Sequence, residues 1–330
     1  MSLSSSNRFL SVLALLATLT VLGGCEKPAE PLAKPILVGT NSWPGYLPGY
    51  LARDKDLYGS KLIQMQQYES AVEVMEAFSK NDIQVAALTI DEALEVSQNG
   101  IPIKVILVAD ISEGADVIIA KPGIASVKDL AGRRVGVESG ALGRFVLARA
   151  LEINGMAKDS VRTVNILIDD SVDAYKYDRV DAVVTFEPYR GQLLALGGVE
   201  IFNSCAMPNE IIDVLVVRAD YAETNPRTLR ALVKGWLAAA ELIKKDQDKL
   251  AQELAWYLKI PSTEVASAFE GLHIPDARQN KALLGGREPT LVRTNNKIVQ
   301  FMEAQSRKPI HQMSFEIYTD RFLPTDKPTE

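Results

Sequence analysis

DAVVTFEPYR, residues 181–190, joins a β-branched apolar run directly to an acid, a proline and an aromatic residue. This order predicts a buried strand that ends at Thr185 and a helix that begins at Pro188. VGVESGALG, residues 135–143, has the same order of strand, small-residue turn and helix. In open α/β sheets, ligands bind beyond the carboxyl ends of the strands, where helix N-termini expose free N–H groups. The two stretches therefore predict an α/β protein with a pocket for a small polar molecule.

The composition is that of a globular protein with room for two domains. The chain has 330 residues, of which 47% are hydrophobic and 24% are charged. Its net charge of −6 argues against nucleic acid or an anionic membrane surface as a partner, because both require clustered Lys and Arg. Two cysteines cannot form a disulfide framework, so the hydrophobic core alone must stabilise the fold.

The N-terminus has the pattern of an export signal. Arg8 precedes an apolar run over residues 9–22, which is too short for a comfortable membrane span. Leu22-Gly-Gly-Cys25 resembles the bacterial lipobox, in which cleavage before the cysteine is followed by lipidation of its thiol. We therefore expect a signal peptide over residues 1–24 and a lipidated Cys25, followed by a tether to residue 34. A plain signal peptide with an incidental cysteine is the alternative.

Strand and helix patterns alternate along the mature chain. Strands are predicted near 35–40, 62–68, 83–88 and 103–109, and again near 133–137, 161–168 and 181–185, with helices between them. Such alternation predicts parallel sheets with right-handed crossovers. The apolar runs 115–121 and 211–217 are interpreted as two segments that cross between lobes. From Asn225-Pro226 onward the pattern is helical, with separate helices predicted near 226–243, 247–258, 262–271 and 293–305.

Several motifs in this order carry a family resemblance. They are GTNSWPGYLPGYLARDKDLY, ALTIDEAL, LVADISEGADVIIAK, SVKDLAGRRVGVESGALGRFVLARAL and DAVVTFEPY. Together with the lipobox they resemble the solute-binding proteins of ABC transporters in the nitrate/taurine/sulfonate and thiamine-precursor group (NMT1/THI5-like, SsuA-like).

The resemblance implies the type II periplasmic-binding-protein fold, in which two α/β lobes close on a ligand. Lobe 1 is expected over residues 35–117 and 217–330, and lobe 2 over 118–216. It also implies a monomer that faces the periplasm or cell exterior, takes a small molecule without cofactor or metal, and delivers it to an ABC permease and its ATPase. A membrane sensor is the alternative partner.

Candidate ligand residues of lobe 1 follow its predicted strands. Trp43, Pro44 and Gly45 form the turn after the first strand, where an aromatic plane would floor a ligand; simple packing of Trp43 is the alternative. Thr89 and Asp91 follow the third strand, although Asp91 is equally well interpreted as a helix N-cap.

A second group flanks the predicted crossings. Asp110 ends the fourth strand, and Gly114 would allow close approach to the backbone. Asp116 lies inside an apolar run, where an unpaired charge is costly, so it is expected to have a partner such as a ligand amine or a basic side chain. Asp213 opens the other apolar run and is a weaker candidate of the same kind.

Candidate residues of lobe 2 lie at its two helix starts. Ser139 and Gly140 offer N–H groups and a hydroxyl to an anion or a carbonyl. Glu187 resembles the acid of a Trp-Glu-Pro element in related proteins and would accept N–H groups from a ligand. For both positions, a role limited to their own helix is the alternative.

The candidate set is acidic, with Arg144 and Arg190 as its few bases. Several uncompensated carboxylates would repel nitrate or a sulfonate in a partly dry cleft. We therefore predict a nitrogen-rich ligand, such as an amine, an amidine or a pyrimidine-like heterocycle. An oxyanion such as nitrate, taurine or an alkanesulfonate is the alternative if most of the acids point elsewhere.

Two other classes of protein share the resemblance. An enzyme of the thiamine-precursor branch needs a Cys- and His-rich site, whereas His273, His311 and Cys205 lie outside the predicted strand-end loops. No serine-nucleophile elbow, metal-ligand spacing or phosphate loop occurs in the sequence. A transcription regulator would require a DNA-binding helix-turn-helix where this chain has its signal sequence. Both classes are therefore disfavoured.

Overall fold

The chain folds into two β-sheets, each covered by helices. The computed structural model describes residues 35–138, 140–287, 289–306 and 317–324. Within these ranges, one sheet has six strands in the order β11-β4-β10-β3-β1-β2, and the other has five in the order β7-β6-β8-β5-β9. The two sheets confirm the predicted two-lobed α/β architecture.

The strands are β1 (Ile36–Thr40), β2 (Ile63–Gln67), β3 (Val85–Thr89), β4 (Ile103–Ser112), β5 (Val117–Ala120), β6 (Arg134–Glu138), β7 (Arg162–Ile166), β8 (Ala182–Thr185), β9 (Val199–Asn203), β10 (Ile212–Arg218) and β11 (Leu272–His273). The helices are α1 (Leu47–Asp54), α2 (Ala71–Ser79), α3 (Ile90–Gln98), α4 (Ala141–Ile153), α5 (Ser171–Lys176), α6 (Tyr189–Ala195), α7 (Ala219–Thr224), α8 (Pro226–Leu258), α9 (Val265–Ala268), α10 (Ala277–Leu284) and α11 (Thr290–Ser306).

The topology of the six-stranded sheet directs several polar residues to one edge. β1 is parallel to β2 and β3, whereas β10 is antiparallel to both β3 and β4. The carboxyl ends of β1, β3 and β4 therefore lie at the same edge as the amino end of β10. Thr89, Asp110 and Asp213 all lie at that edge.

The five-stranded sheet has a similar arrangement. β6 is parallel to β7 and β8, and β5 runs antiparallel to β8 and β9. Val117, the first residue of β5, pairs with Thr185, the last residue of β8. Asp116 and the 186–188 turn therefore share an edge with Glu138, which ends β6.

Both predicted crossings contain strands, since the run 115–121 holds β5, which pairs with β8 and β9 in the five-stranded sheet. The apolar run 211–217 forms most of β10, which pairs with β3 on one side and β4 on the other, so it belongs to the six-stranded sheet. A strand in the middle of a sheet is buried on both faces, so its sequence is a continuous apolar run. This is why residues 211–217 were interpreted as a crossing segment. The chain crosses back between β9 and β10, over residues 204–211, earlier than the expected lobe boundary at residue 216.

The helical return also differs from the prediction. α8 continues through the expected break, and only Asp246 leaves helical geometry there. Gly49 of α1 lies against this long helix, where an added Cβ would stand 2.4 Å from a ring carbon of Trp236. The pattern analysis missed β9, β11, α7 and α10. Among the described residues, no helix combines the length and apolarity needed to cross a membrane.

Candidate functional site

Three aspartates meet where the six-stranded sheet faces the other lobe. Asp110 on β4 and Asp213 on β10 are direct partners across the antiparallel pair, which places their side chains on the same face of the sheet. Asp213 is also paired with Thr89 on β3. Asp116 follows four residues after β4 ends, and its charge raises the pKa of both other aspartates. All three are buried, with exposed fractions of 0%, 3% and 2% for Asp110, Asp213 and Asp116.

The turn after β1 covers these aspartates. The indole Nε1 of Trp43 donates a hydrogen bond to Oδ2 of Asp110 at 3.0 Å. Pro44 and Gly45 lie in a short 3-10 helix, Pro44–Tyr46, directly against that contact. A Cβ on Gly45 would stand 1.8 Å from Oδ2 of Asp110, so only glycine fits there. The turn over residues 43–45, which sequence analysis interpreted as a ligand-binding loop, is thus needed to bring Trp43 and Asp110 together.

Trp43 also contacts the other lobe. Its ring lies 5.0 Å from the ring of Phe186, edge to face, and its side chain is buried. Phe186 in turn contacts the ring of Tyr189 at the start of α6. Trp43 therefore lies between the lobes and is covered by aromatic rings, which agrees with the packing alternative, and its contact with a ligand stays a prediction.

Tyr46 is a site residue that sequence analysis missed. Its hydroxyl donates a hydrogen bond to Oδ1 of Asp213. Burial and the charge of Asp213 raise the pKa of Tyr46 well above its usual value, so its hydroxyl stays protonated as a donor. The sequence feature that could have identified Tyr46 is its position three residues after Trp43, in the same Pro/Gly turn.

The aspartates retain polar atoms without partners. Oδ1 of Asp110 and Oδ2 of Asp116 are buried and accept no hydrogen bond from the described residues. No Lys or Arg of the described residues is among the groups that shift their pKa values. Burial raises the pKa of Asp110 to about 8 and that of Asp116 to about 7, and it raises that of Asp213 well above the usual range. These carboxyl groups therefore have no compensating base among the described residues, and burial favours their protonated forms.

The start of α3 extends the acidic surface. Thr89, and not Asp91, is the N-cap residue of this helix, so the N-cap interpretation of Asp91 is wrong. Glu92, which sequence analysis missed, accepts the backbone N–H of Thr89 at 2.9 Å. Asp91 lies in the first turn, buried, with Oδ2 lacking a partner. Burial and the neighbouring charge of Asp91 raise the pKa of Glu92 to about 8.

Lobe 2 contributes a further acid that sequence analysis missed. Glu138, at the end of β6, lies near the backbone N–H of Ala71, the first residue of α2 in lobe 1, whose lowering effect on its pKa is outweighed by burial. Burial raises the pKa of Glu138 to about 7. An added Cβ on the neighbouring Gly140 would lie 3.8 Å from Oε1 of Glu92, so Gly140 lies beside lobe 1, and ligand contact there stays a prediction. Ser139 lies outside the described residues.

Glu187 and Gly114 have local roles in the structure. Oε2 of Glu187 accepts the N–H of Gly191 in its own helix at 3.1 Å, which agrees with the alternative interpretation, although its side chain is only partly buried. Gly114 has a φ of +122°, and its N–H donates to Oγ of Ser204 at 2.6 Å. Because Ser204 lies on the return crossing, Gly114 joins the two crossings. Ligand contact by either residue stays a prediction.

The other polar candidates lie away from the three aspartates. Arg190 pairs with Glu200 at 2.9 Å, and Arg144 is exposed. His273 contacts Gln279, Cys205 donates to the carbonyl of Glu113, and His311 lies outside the described residues. Among the described residues, no group of three or more His, Cys, Asp or Glu side chains is arranged to hold a metal ion.

Comparisons with known proteins agree with the architecture. The sequence profile of the NMT1-like family matches residues 29–258. The taurine-binding periplasmic protein of Escherichia coli strain K12 is 23% identical over 274 residues, which cover 79% of this chain and 83% of that protein. The crystal structure of the periplasmic aliphatic sulphonate binding protein SsuA from E. coli superposes with a TM-score of 0.71 at 17% identity, covering 88% and 99% of the two chains.

The same fold also occurs in an enzyme. The crystal structure of the desulfurization enzyme DSZB superposes with a TM-score of 0.63 at 14% identity, over 89% of this chain and 97% of that one. Identities this low show a shared fold only.

Proposed function

Because the chain belongs to the NMT1-like family, we propose that it is the solute-binding component of an ABC importer. It captures a small polar solute between its lobes and delivers it, chemically unchanged, to a permease and its ATPase. The names of the relatives support this role and a location in the periplasm. A membrane sensor that reads the closed form is the alternative partner, because lobe closure would report ligand to either.

The relatives favour a sulfonate ligand over the nitrogen-rich ligand predicted first, which is not confirmed. The carboxylates nevertheless argue for a positive group. A small sulfonate that also carries an ammonium group meets both requirements, and taurine is one such compound. We therefore propose an aminosulfonate of this kind as the ligand.

The observation that carries this proposal is the group formed by Asp110, Asp116 and Asp213. These are three buried carboxyl groups, two of them with an unpartnered oxygen and none with a basic neighbour among the described residues, so they offer no positive charge to a purely anionic solute. An ammonium donates three hydrogen bonds and supplies the missing charge. The same observation supports a second candidate, an amine, amidine or pyrimidine-like heterocycle without a sulfonate.

A thermal-shift panel tests the ligand class. A ligand that binds only the native state raises the melting temperature in proportion to the logarithm of its concentration above Kd. The panel compares taurine, ethanesulfonate, nitrate, ethylammonium and an aminopyrimidine. We expect the largest shift with taurine. A shift with ethanesulfonate and nitrate but not with taurine would contradict the ammonium requirement, and a shift only with the aminopyrimidine would support the second candidate.

We further propose that the protein is exported by a signal peptide and held at a membrane by lipid on Cys25. The support is the apolar run and lipobox-like sequence in residues 1–25. Cys25→Ser should move the protein from the membrane fraction to the soluble fraction of lysed cells, with Cys205→Ser as the matched control. Unchanged fractionation of the Cys25→Ser protein would contradict lipid anchoring.

A further inference from the structure

Carboxyl groups from the edges of both sheets come together between the lobes. Asp110 and Asp213 are direct partners on neighbouring antiparallel strands, where like charges destabilise the pair. Asp116 lies close enough for its charge to act on both of them. Such groups cannot all be ionised at once in a buried position unless a cation joins them.

The groups that face this cluster are neutral or acidic. Trp43 and Tyr46 from the turn after β1 each donate one hydrogen bond, to Asp110 and Asp213 respectively. Asp91 and Glu92 of α3 add two further carboxyl groups, and Phe186 of lobe 2 closes the side next to Trp43. His273 is paired in register with Ile111 beside the cluster, and its ring contacts Gln279.

The hydrogen-bond donors do not satisfy the carboxyl oxygens. Oδ1 of Asp110, Oδ2 of Asp116 and Oδ2 of Asp91 are buried without a partner among the described residues. A buried acceptor without a donor costs about 1–3 kcal/mol, and more when it is charged. Without ligand, protons on these oxygens remove the charge, and a bound cation would remove it equally well.

We propose that Asp110, Asp116 and Asp213 form a cation subsite at which the ammonium group of the ligand replaces bound protons, so that ligand capture releases hydrogen ions. This inference rests on the proposed function, since it requires a ligand with a positive group. The exchange is balanced: an ammonium with its own three hydrogens enters, and the carboxyl protons leave to the solvent. Burial, which raises the pKa values of these groups into or above the neutral range, keeps the protons in place until the ligand arrives.

The exchange gives binding a defined pH dependence. Because protons compete with the ammonium, affinity for taurine rises with pH while the subsite is protonated. For each proton released, the affinity increases about tenfold per pH unit. Ethanesulfonate lacks the ammonium group and should show neither this slope nor proton release.

Isothermal titration calorimetry measures the released protons directly. Taurine is titrated into the mature protein at pH 7 in buffers of different ionisation enthalpy, and the slope of the observed enthalpy gives the protons released. Asp110→Asn and Asp116→Asn should each reduce the release and weaken binding at least tenfold. Asp159→Asn, on the exposed surface of lobe 2, is the matched control and should behave as the unaltered protein.

The outcomes separate this inference from the proposed function. Taurine binding with no proton release would overturn the proton exchange and leave the proposed function standing. If taurine does not bind, the proposed ligand is wrong, and infrared spectroscopy of the ligand-free protein decides the inference. A carboxylic acid band at pH 7 that Asp110→Asn or Asp116→Asn diminishes supports the protonated subsite, and its absence overturns it.

Discussion

At the scale of the residue, the site depends on a glycine that makes room for a carboxylate. Asp110 is completely buried, and the indole of Trp43 is its only hydrogen-bond donor among the described residues. Gly45 occupies the position where any side chain would collide with both groups: an added Cβ would lie 1.8 Å from Oδ2 of Asp110 and 2.6 Å from Nε1 of Trp43. The Trp43–Asp110 hydrogen bond can therefore form only if residue 45 is glycine.

Gly45→Ala should break the Trp43–Asp110 hydrogen bond. We expect the free energy of unfolding to fall by about 1–3 kcal/mol, the usual cost of inserting a methyl group into a packed site. Urea unfolding monitored by circular dichroism measures this change. Gly140→Ala is the control, because its added Cβ would meet nothing closer than 3.8 Å. Equal stability of Gly45→Ala and the unaltered protein would contradict the described packing.

At the scale of the element, Asn280 of α10 holds β4 in place next to the site. The pairing of β4 with β10 shifts register between Asp110 and Val108, so the backbone of β4 is irregular there. Oδ1 of Asn280 accepts the N–H of Val108 at 2.7 Å, and its Nδ2 donates to the carbonyl of Val108 at 3.1 Å. The side-chain amide of Asn280 thus makes the two backbone hydrogen bonds that a neighbouring strand would make at Val108, two residues before Asp110.

Asn280→Ala should leave the N–H and carbonyl of Val108 without partners in a buried position. Each unpaired group costs about 1–3 kcal/mol, so we expect a loss of at least 2 kcal/mol in the free energy of unfolding. Gln279→Ala removes a neighbouring capping side chain on the exposed face of the same helix and should cost only about 1 kcal/mol. A smaller loss for Asn280→Ala than for Gln279→Ala in urea unfolding would contradict this role.

At the scale of the whole molecule, groups from both lobes meet across the cleft. Trp43 packs on Phe186, and the backbone N–H of Ala71 at the start of α2 in lobe 1 is near enough to Glu138 of lobe 2 to act on its pKa. These contacts exist only when the lobes are close together. They therefore favour the closed form, whose population a ligand increases by its differential affinity.

Phe186→Ala should weaken ligand binding by removing a ring that packs across the cleft. An aromatic pair contributes about 0.5–1.5 kcal/mol beyond its buried area, which corresponds to a loss of affinity of about two- to tenfold. Titration calorimetry with the ligand identified by the thermal-shift panel measures the change. Trp256→Ala, which removes a largely exposed ring on α8, is the control. Equal affinities of Phe186→Ala and Trp256→Ala would contradict a role for the Trp43–Phe186 contact in closure.

Ligand-free stability should fall as the pH rises from about 5 to 8.5. Burial raises the pKa values of Asp110, Asp116, Glu92 and Glu138 to about 7–8, whereas in the unfolded chain they have ordinary values near 4. The native state therefore holds more protons than the unfolded state in this window, and raising the pH favours unfolding. Urea unfolding at pH 5.5, 7.0 and 8.5 measures the effect.

A double variant, Asp110→Asn with Asp116→Asn, provides the control for this pH dependence. Its amides do not ionise, so its stability should change less between pH 5.5 and 8.5 than that of the unaltered protein. A stability that stays constant or rises with pH in the unaltered protein would contradict the raised pKa values.

The sequence by itself determined the alternation of strands and helices, because hydrophobic period and capping residues are local properties of the chain. It also identified Asp110, Asp116 and Asp213, since an acid within an apolar run stands out locally. Pairing is not local. Only the tertiary structure showed that 211–217 is a central strand, that Asp213 lies opposite Asp110, and that Tyr46, Glu92 and Glu138 join the cleft. Register and lobe contacts depend on residues a hundred positions apart, which no local pattern records.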